Sequence, residues 1–142
     1  MNKSPEELKS LLASHDPRER SRALKLIGKF RHLEMHEYCE HALTDNASEV
    51  REFAAWALDQ LNSPMAVPAL LKALYDPVFG VRSNAGWALV HIARRTLPNV
   101  VVPDVIDVLQ DDDKNAQQMA YLVLHHIGGE TARSAIRHYC KK

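Results

Sequence analysis

The chain has 142 residues, 46% hydrophobic and 25% charged, a composition ordinary for a folded globular domain and unlike that of a disordered one. Eighteen Lys and Arg balance eighteen Asp and Glu, which leaves no clustered cation excess for general nucleic-acid binding. No run approaches the roughly 18 apolar residues of a membrane span, so no membrane partner is expected. Cys39 and Cys140 form no CxxC or zinc-finger spacing, which points to a reducing compartment. With no signal-peptide core in "MNKSPEELKS", the expected location is the cytoplasm.

Taken in chain order, the pattern predicts a starter helix near residues 4–13 and then four helix pairs at about 17–43, 48–74, 79–109 and 114–140. Asp16-Pro17 opens the first pair with an N-cap aspartate before a proline whose missing N–H costs nothing there. In the second pair, Val50, Ala54, Ala57, Leu58 and Leu61 recur at steps of three and four, one face of a helix. "LNSP" breaks the chain, and Val67, Leu70, Leu71 and Leu74 repeat the face on the partner helix. Asp76-Pro77 starts the third pair as Asp16-Pro17 starts the first, with Val102, Val105, Ile106 and Leu109 on its second helix. Pro68 and Pro103 are placed near the first turns of second helices. "IGGE" divides the fourth pair, and strand alternation is absent throughout.

These pairs are copies of one another. At an offset of 31, Asp45-x4-Val50-Arg51-x2-Ala54 recurs as Asp76-x4-Val81-Arg82-x2-Ala85, and Trp56-Ala57-Leu58 recurs as Trp87-Ala88-Leu89. A further 35 residues on, Asp111, Ala116, Ala120, Val123 and Leu124 follow the same pattern in degraded form. One pair cannot bury its apolar face alone, so pairs must stack, and atypical end copies suit a stack whose ends meet water. The expected fold is all-α, a right-handed α-solenoid of about nine helices forming a single domain.

The pattern Asp-x4-Val-Arg-x2-Ala-x2-Ala-Leu followed by "SPMAVPALLKAL" resembles the short HEAT-like repeat first catalogued in phycobilisome bilin lyases. The resemblance covers nearly the whole chain and is strongest over residues 45–109. It implies a solenoid of HEAT-like helical hairpins and, among functions, scaffolds, adaptors, lyase subunits and a few enzymes. Deoxyhypusine hydroxylase, a di-iron member, uses repeated His-Glu pairs at the start of first helices. Those positions here read Arg51-Glu52 and Arg82-Ser83, so no catalytic residue is assigned and the chain is expected not to be an enzyme. Asp45, Asp76 and Asp111 with Arg51 and Arg82 resemble the family's structural ladder, in which each arginine reaches an aspartate of a neighbouring repeat.

Three clusters remain. In "RHLEMHEYCEH", His32, His36 and Cys39 share a helix face that a transition metal could grip, although Cys39 aligns with core Leu70, so no metal and no cofactor is expected. His91 and His126 occupy one repeat position and are expected at the surface. A stripe of Phe53, Trp56, Trp87, Met119 and Leu122 is expected on the outer, convex layer, where each aromatic can cover about 150–250 Å². Such a stripe reaches the scale of an interaction patch, unless the indoles lean over the helix crossing and complete the core. On the inner face, Tyr38, His41, Lys72, Tyr75, Asp104, Asp107 and Arg137 form a mixed-charge groove suited to a peptide or protein segment. The expected function is a non-enzymatic adaptor, scaffold or assembly factor binding another protein or a second copy. A chromophore-handling role follows from the lyase resemblance alone, and a metal-binding role from the His/His/Cys cluster.

Overall fold

A computed structural model describes residues 2–96 and 98–139. Among these residues there are nine α-helices and no strand, stacked as the all-α solenoid expected from the repeat. They are α1 (Pro5–Leu12), α2 (Pro17–Phe30), α3 (His36–Ala42), α4 (Ser48–Leu61), α5 (Val67–Ala73), α6 (Phe79–Arg95), α7 (Pro98–Leu109), α8 (Lys114–Ile127) and α9 (Glu130–Tyr139). The expected end of the last pair, at Cys140, lies outside the described residues. One layer is built by α2, α4, α6 and α8 packed in succession, and α3, α5, α7 and α9 form the second layer.

The core is the periodic face. Val50, Ala54, Ala57 and Leu58 are fully buried, as are Val81, Ala85, Ala88 and Leu89 one repeat on. Small alanines at the recurring positions let first helices approach closely, while the leucines fill the space between layers. α2 and α4 end on Arg31 and Asn62, both in the left-handed conformation (φ 53° and 50°), whose N–H groups cover orphan carbonyls of the last turn.

Several local expectations need correction. Asp16 caps α2 with Pro17 at the first helical position, but Asp76 does not cap α6, which starts at Phe79. Asp76 instead accepts from the Val78 amide, as Asp45 does from that of Ala47, so both close tight turns ahead of their helices. Pro103 is interior to α7 and outside its first turn, because that helix already begins at Pro98. The third repeat departs most from the others: α6 has 17 residues where α2 and α4 have 14, and it ends on an extended Thr96.

Candidate interaction surfaces

Arginines stitch successive repeats together. Arg20 Nε and Nη2 donate to the Asp45 carboxylate at 2.9 and 3.0 Å, and Arg51 Nε and Nη2 donate to Asp76 at 2.8 and 3.3 Å. Each also ties down its own preceding turn, Arg20 through Ser14 O and Arg51 through Asp45 O, both at 2.9 Å. Arg82 keeps the second half of this arrangement, donating to Asp76 O at 2.8 Å, but makes no rung to Asp111. Asp111 accepts instead from the Tyr75 hydroxyl at 2.8 Å, and Arg82 lies 5.6 Å from the centre of the Phe79 ring. The Tyr75 phenol is pushed up to about 12 by burial and by its bond to that carboxylate.

The first-helix stripe is divided by the structure. Trp56 lies over Gly28 of α2, so close that a Cβ at residue 28 would fall 2.5 Å from the indole Cζ3. Phe53 meets Trp56 edge-on at 6.3 Å, Lys25 Nζ sits 4.5 Å above the Phe53 ring, and both aromatics are partly buried against the core. Met119 is 6% exposed and turned towards Gly86 of α6. Phe53, Trp56 and Met119 thus complete the packing. Trp87 at 43% and Leu122 at 41% stay open, joined by Phe79 at 62%.

Between α6 and α8 these open residues line a cleft of about 200 Å³ whose floor is Gly86 and Met119. His126 sits 4.7 Å from the Trp87 ring and His91 stacks on it at 5.9 Å. His91 Nδ1 is in turn 2.8 Å from Asp59 of α4. The imidazoles follow Trp87 and Leu122 by four residues, one turn of the same helix face, and that spacing was the available sign that they belong with the stripe. Phe79 was missed because it stands at the helix start, two turns from Trp87.

The second-helix groove is less unified. His41 and Lys72 are exposed and line one depression of about 500 Å³ between α3 and α5, with Glu37, Glu40 and Asp76. Tyr38 lies beneath Lys9 Nζ, 5.6 Å from the ring centre. Tyr75 is tied to Asp111, and Arg137 to Glu130 at 2.9 Å. Asp104 and Asp107 are exposed on α7, away from that depression.

His32, His36 and Cys39 are not brought together as a ligand set. His32 bonds Glu34 at 2.9 Å and Asn2 at 2.6 Å, and His36 Nε2 faces Glu40 at 2.5 Å. Cys39 is fully buried, and that burial, with the nearby Glu40 charge, pushes its thiol up to about 12, away from the thiolate a metal requires. Among the described residues no three His, Cys, Asp or Glu side chains are placed to hold a metal. No helix among them is long and apolar enough to cross a membrane.

No curated protein matches the sequence significantly. Among solved structures, an engineered protein from the Northeast Structural Genomics Consortium is similar at 24% identity and TM-score 0.59, over 95% of this chain and 67% of that one. Kap121p is similar at 18% identity and TM-score 0.68 over 96% of this chain, which spans 16% of Kap121p's length. At these identities the likeness is one of fold. Residues 5–90, more than half of the sequence, match the family described as HEAT repeats, and the chain belongs to that family.

Proposed function

We propose that this chain is a non-enzymatic protein-interaction module, an adaptor, scaffold or assembly factor of the cytoplasm, and that the Trp87 cleft is its main contact surface. The observation that carries the reading is the contrast between two tryptophans at one repeat position. Trp56 is packed over Gly28, whereas Trp87 stays half-exposed beside Phe79 and Leu122. Exposed aromatics gathered around a concave apolar floor are the usual anchors of binding energy. At about 200 Å³ the cleft falls below the roughly 300–1,000 Å³ of small-molecule pockets, so it suits one or two anchoring side chains better than a chromophore.

The groove of Tyr38, His41, Lys72, Tyr75, Asp104, Asp107 and Arg137 is the weaker surface, since Tyr75 and Arg137 are engaged within the chain. Affinity capture from the native host with three baits separates the two: wild type, Trp87→Lys/Leu122→Lys, and His41→Ala/Lys72→Glu. Stoichiometric proteins held by the wild type and the groove variant but lost by the cleft variant are the expected result, with size-exclusion chromatography reporting a second copy as partner. Equal retention by the cleft variant would refute the assignment.

A further inference from the structure

We infer that the Trp87 cleft receives an acidic amphipathic segment of a partner protein, an apolar side chain entering between α6 and α8 while its carboxylates meet the cationic rim. The inference rests on the protein-interaction reading and adds the chemistry of the occupant.

Charge segregation on these two helices carries it. The 17 residues of α6 and the 14 of α8 contain no Asp or Glu, although the whole chain is balanced. In the same layer α2 carries Glu19, and α4 carries Glu49, Glu52 and Asp59. The polar groups along the last turns of α6 and α8 are His91, Arg94, Arg95, His125 and His126. Arg94 reaches across the gap, its Nη2 donating to His126 O at 2.6 Å, which fixes the guanidinium at the rim with further N–H groups to offer. Arg95 and His125 are exposed. Of the nearby carboxylates, Asp59 is held by His91 and Glu130 by Arg137, while Glu52 beside Gly80 and Asp113 capping α8 stand at the N-terminal ends of the two helices, away from Arg94.

Last-turn cations also offset the helix dipole. The dipole does not require them, because α4 ends with no basic residue in its last turn. An apolar cleft closed at one end by Arg94, between two helices without a carboxylate, selects its partner by charge as well as shape, favouring acidic segments over basic ones. An amphipathic helix laid in the groove supplies both features from one face and its edge.

The test is a random peptide library displayed on phage, panned against the wild type with Trp87→Ala as counter-screen. Thermal melts first establish that the variants fold. The expected enrichment is of Trp87-dependent clones rich in Asp and Glu, with bulky apolar residues at helical spacing. A synthetic copy of the leading clone should lose about tenfold or more in affinity on Arg94→Glu/Arg95→Glu, read by fluorescence anisotropy. Trp87-dependent clones of neutral or basic charge would overturn the acidic occupant while leaving the cleft as an interface. Clones indifferent to Trp87→Ala would overturn both. A parallel flotation with phosphatidylserine vesicles covers the other anionic surface. Trp87-dependent flotation without Trp87-dependent peptides would replace the proposal with a lipid one.

Discussion

Gly28→Ala should destabilise the protein, against the ordinary rule for helices. Alanine in place of a helical glycine is normally worth up to about 1 kcal/mol in favour of the folded state. Here the new Cβ would sit 2.5 Å from Cζ3 of Trp56 and 3.1 Å from two further ring atoms. Ordinary carbon contacts lie at about 3.5–4.0 Å, so the indole must retreat by about 1 Å. Overpacking of this kind costs about 1–3 kcal/mol. Trp56 is partly buried at the layer's surface and can tilt outward, which favours the lower half of that range. Set against the helix gain, the expected net loss is about 0–1.5 kcal/mol, a fall in melting temperature of up to a few degrees for a domain of this size. Urea melts at constant m-value measure it. In a Trp56→Leu background the clash is gone, and Gly28→Ala should stabilise by a few tenths of a kcal/mol or more. Stabilisation by Gly28→Ala in the wild-type chain would show that the indole does not rest on α2.

Trp56→Lys should cost about 2–4 kcal/mol by denaturant melt, whereas Trp87→Lys should cost less than about 1 kcal/mol, since much of its ring already meets solvent; equal losses would contradict the division of the stripe. Ala85→Leu places a larger side chain at a fully buried helix crossing and should cost about 1–3 kcal/mol, with a neutral result ruling out the inward face as assigned. For Asp45, burial alone would raise the carboxyl pKa, but bonds from Arg20 and the Ala47 amide and the nearby positive charges outweigh it and hold the group below the usual carboxylate range. The stability this contributes is present above the unfolded value near pH 4 and is lost as pH falls through the folded one, so melting temperature should drop on acidification below about pH 4, less steeply in Asp45→Asn. Cys39, buried with its thiol pushed up to about 12, should react with thiol reagents only on unfolding, as mass spectrometry of labelled peptides would show.

The repeat was legible because the fold depends on it: a buried face at steps of three and four, copied at an offset of 31, leaves stacking as the way to bury it. What the copies hide is the neighbour each residue meets. Trp56 and Trp87 are equivalent by offset, yet the residue at the Gly28 position one repeat on is Asp59, whose carboxylate is bound by His91. A glycine floor accepts an indole that a charged side chain does not, and no reading of one helix alone exposes that difference. The ladder misleads for a related reason. Between the third and fourth copies the offset grows from 31 to 35 and α6 is longer, so Asp111 is left to Tyr75 and Arg82 has no rung.

That missing rung has a thermodynamic consequence. In a linear stack, cooperativity is carried from one unit to the next by interface energies alone, so the weakest interface decides where the chain divides into separately melting blocks. Arg20 and Arg51 rivet the first three pairs together, whereas α8 joins α6 and α7 by packing and by the Arg94 bond to His126 O, without an arginine–aspartate rung. The Trp87 cleft opens along this same junction. A segment seated there would span α6 and α8, so recognition would reinforce the junction that lacks a rung and register as a rise in melting temperature.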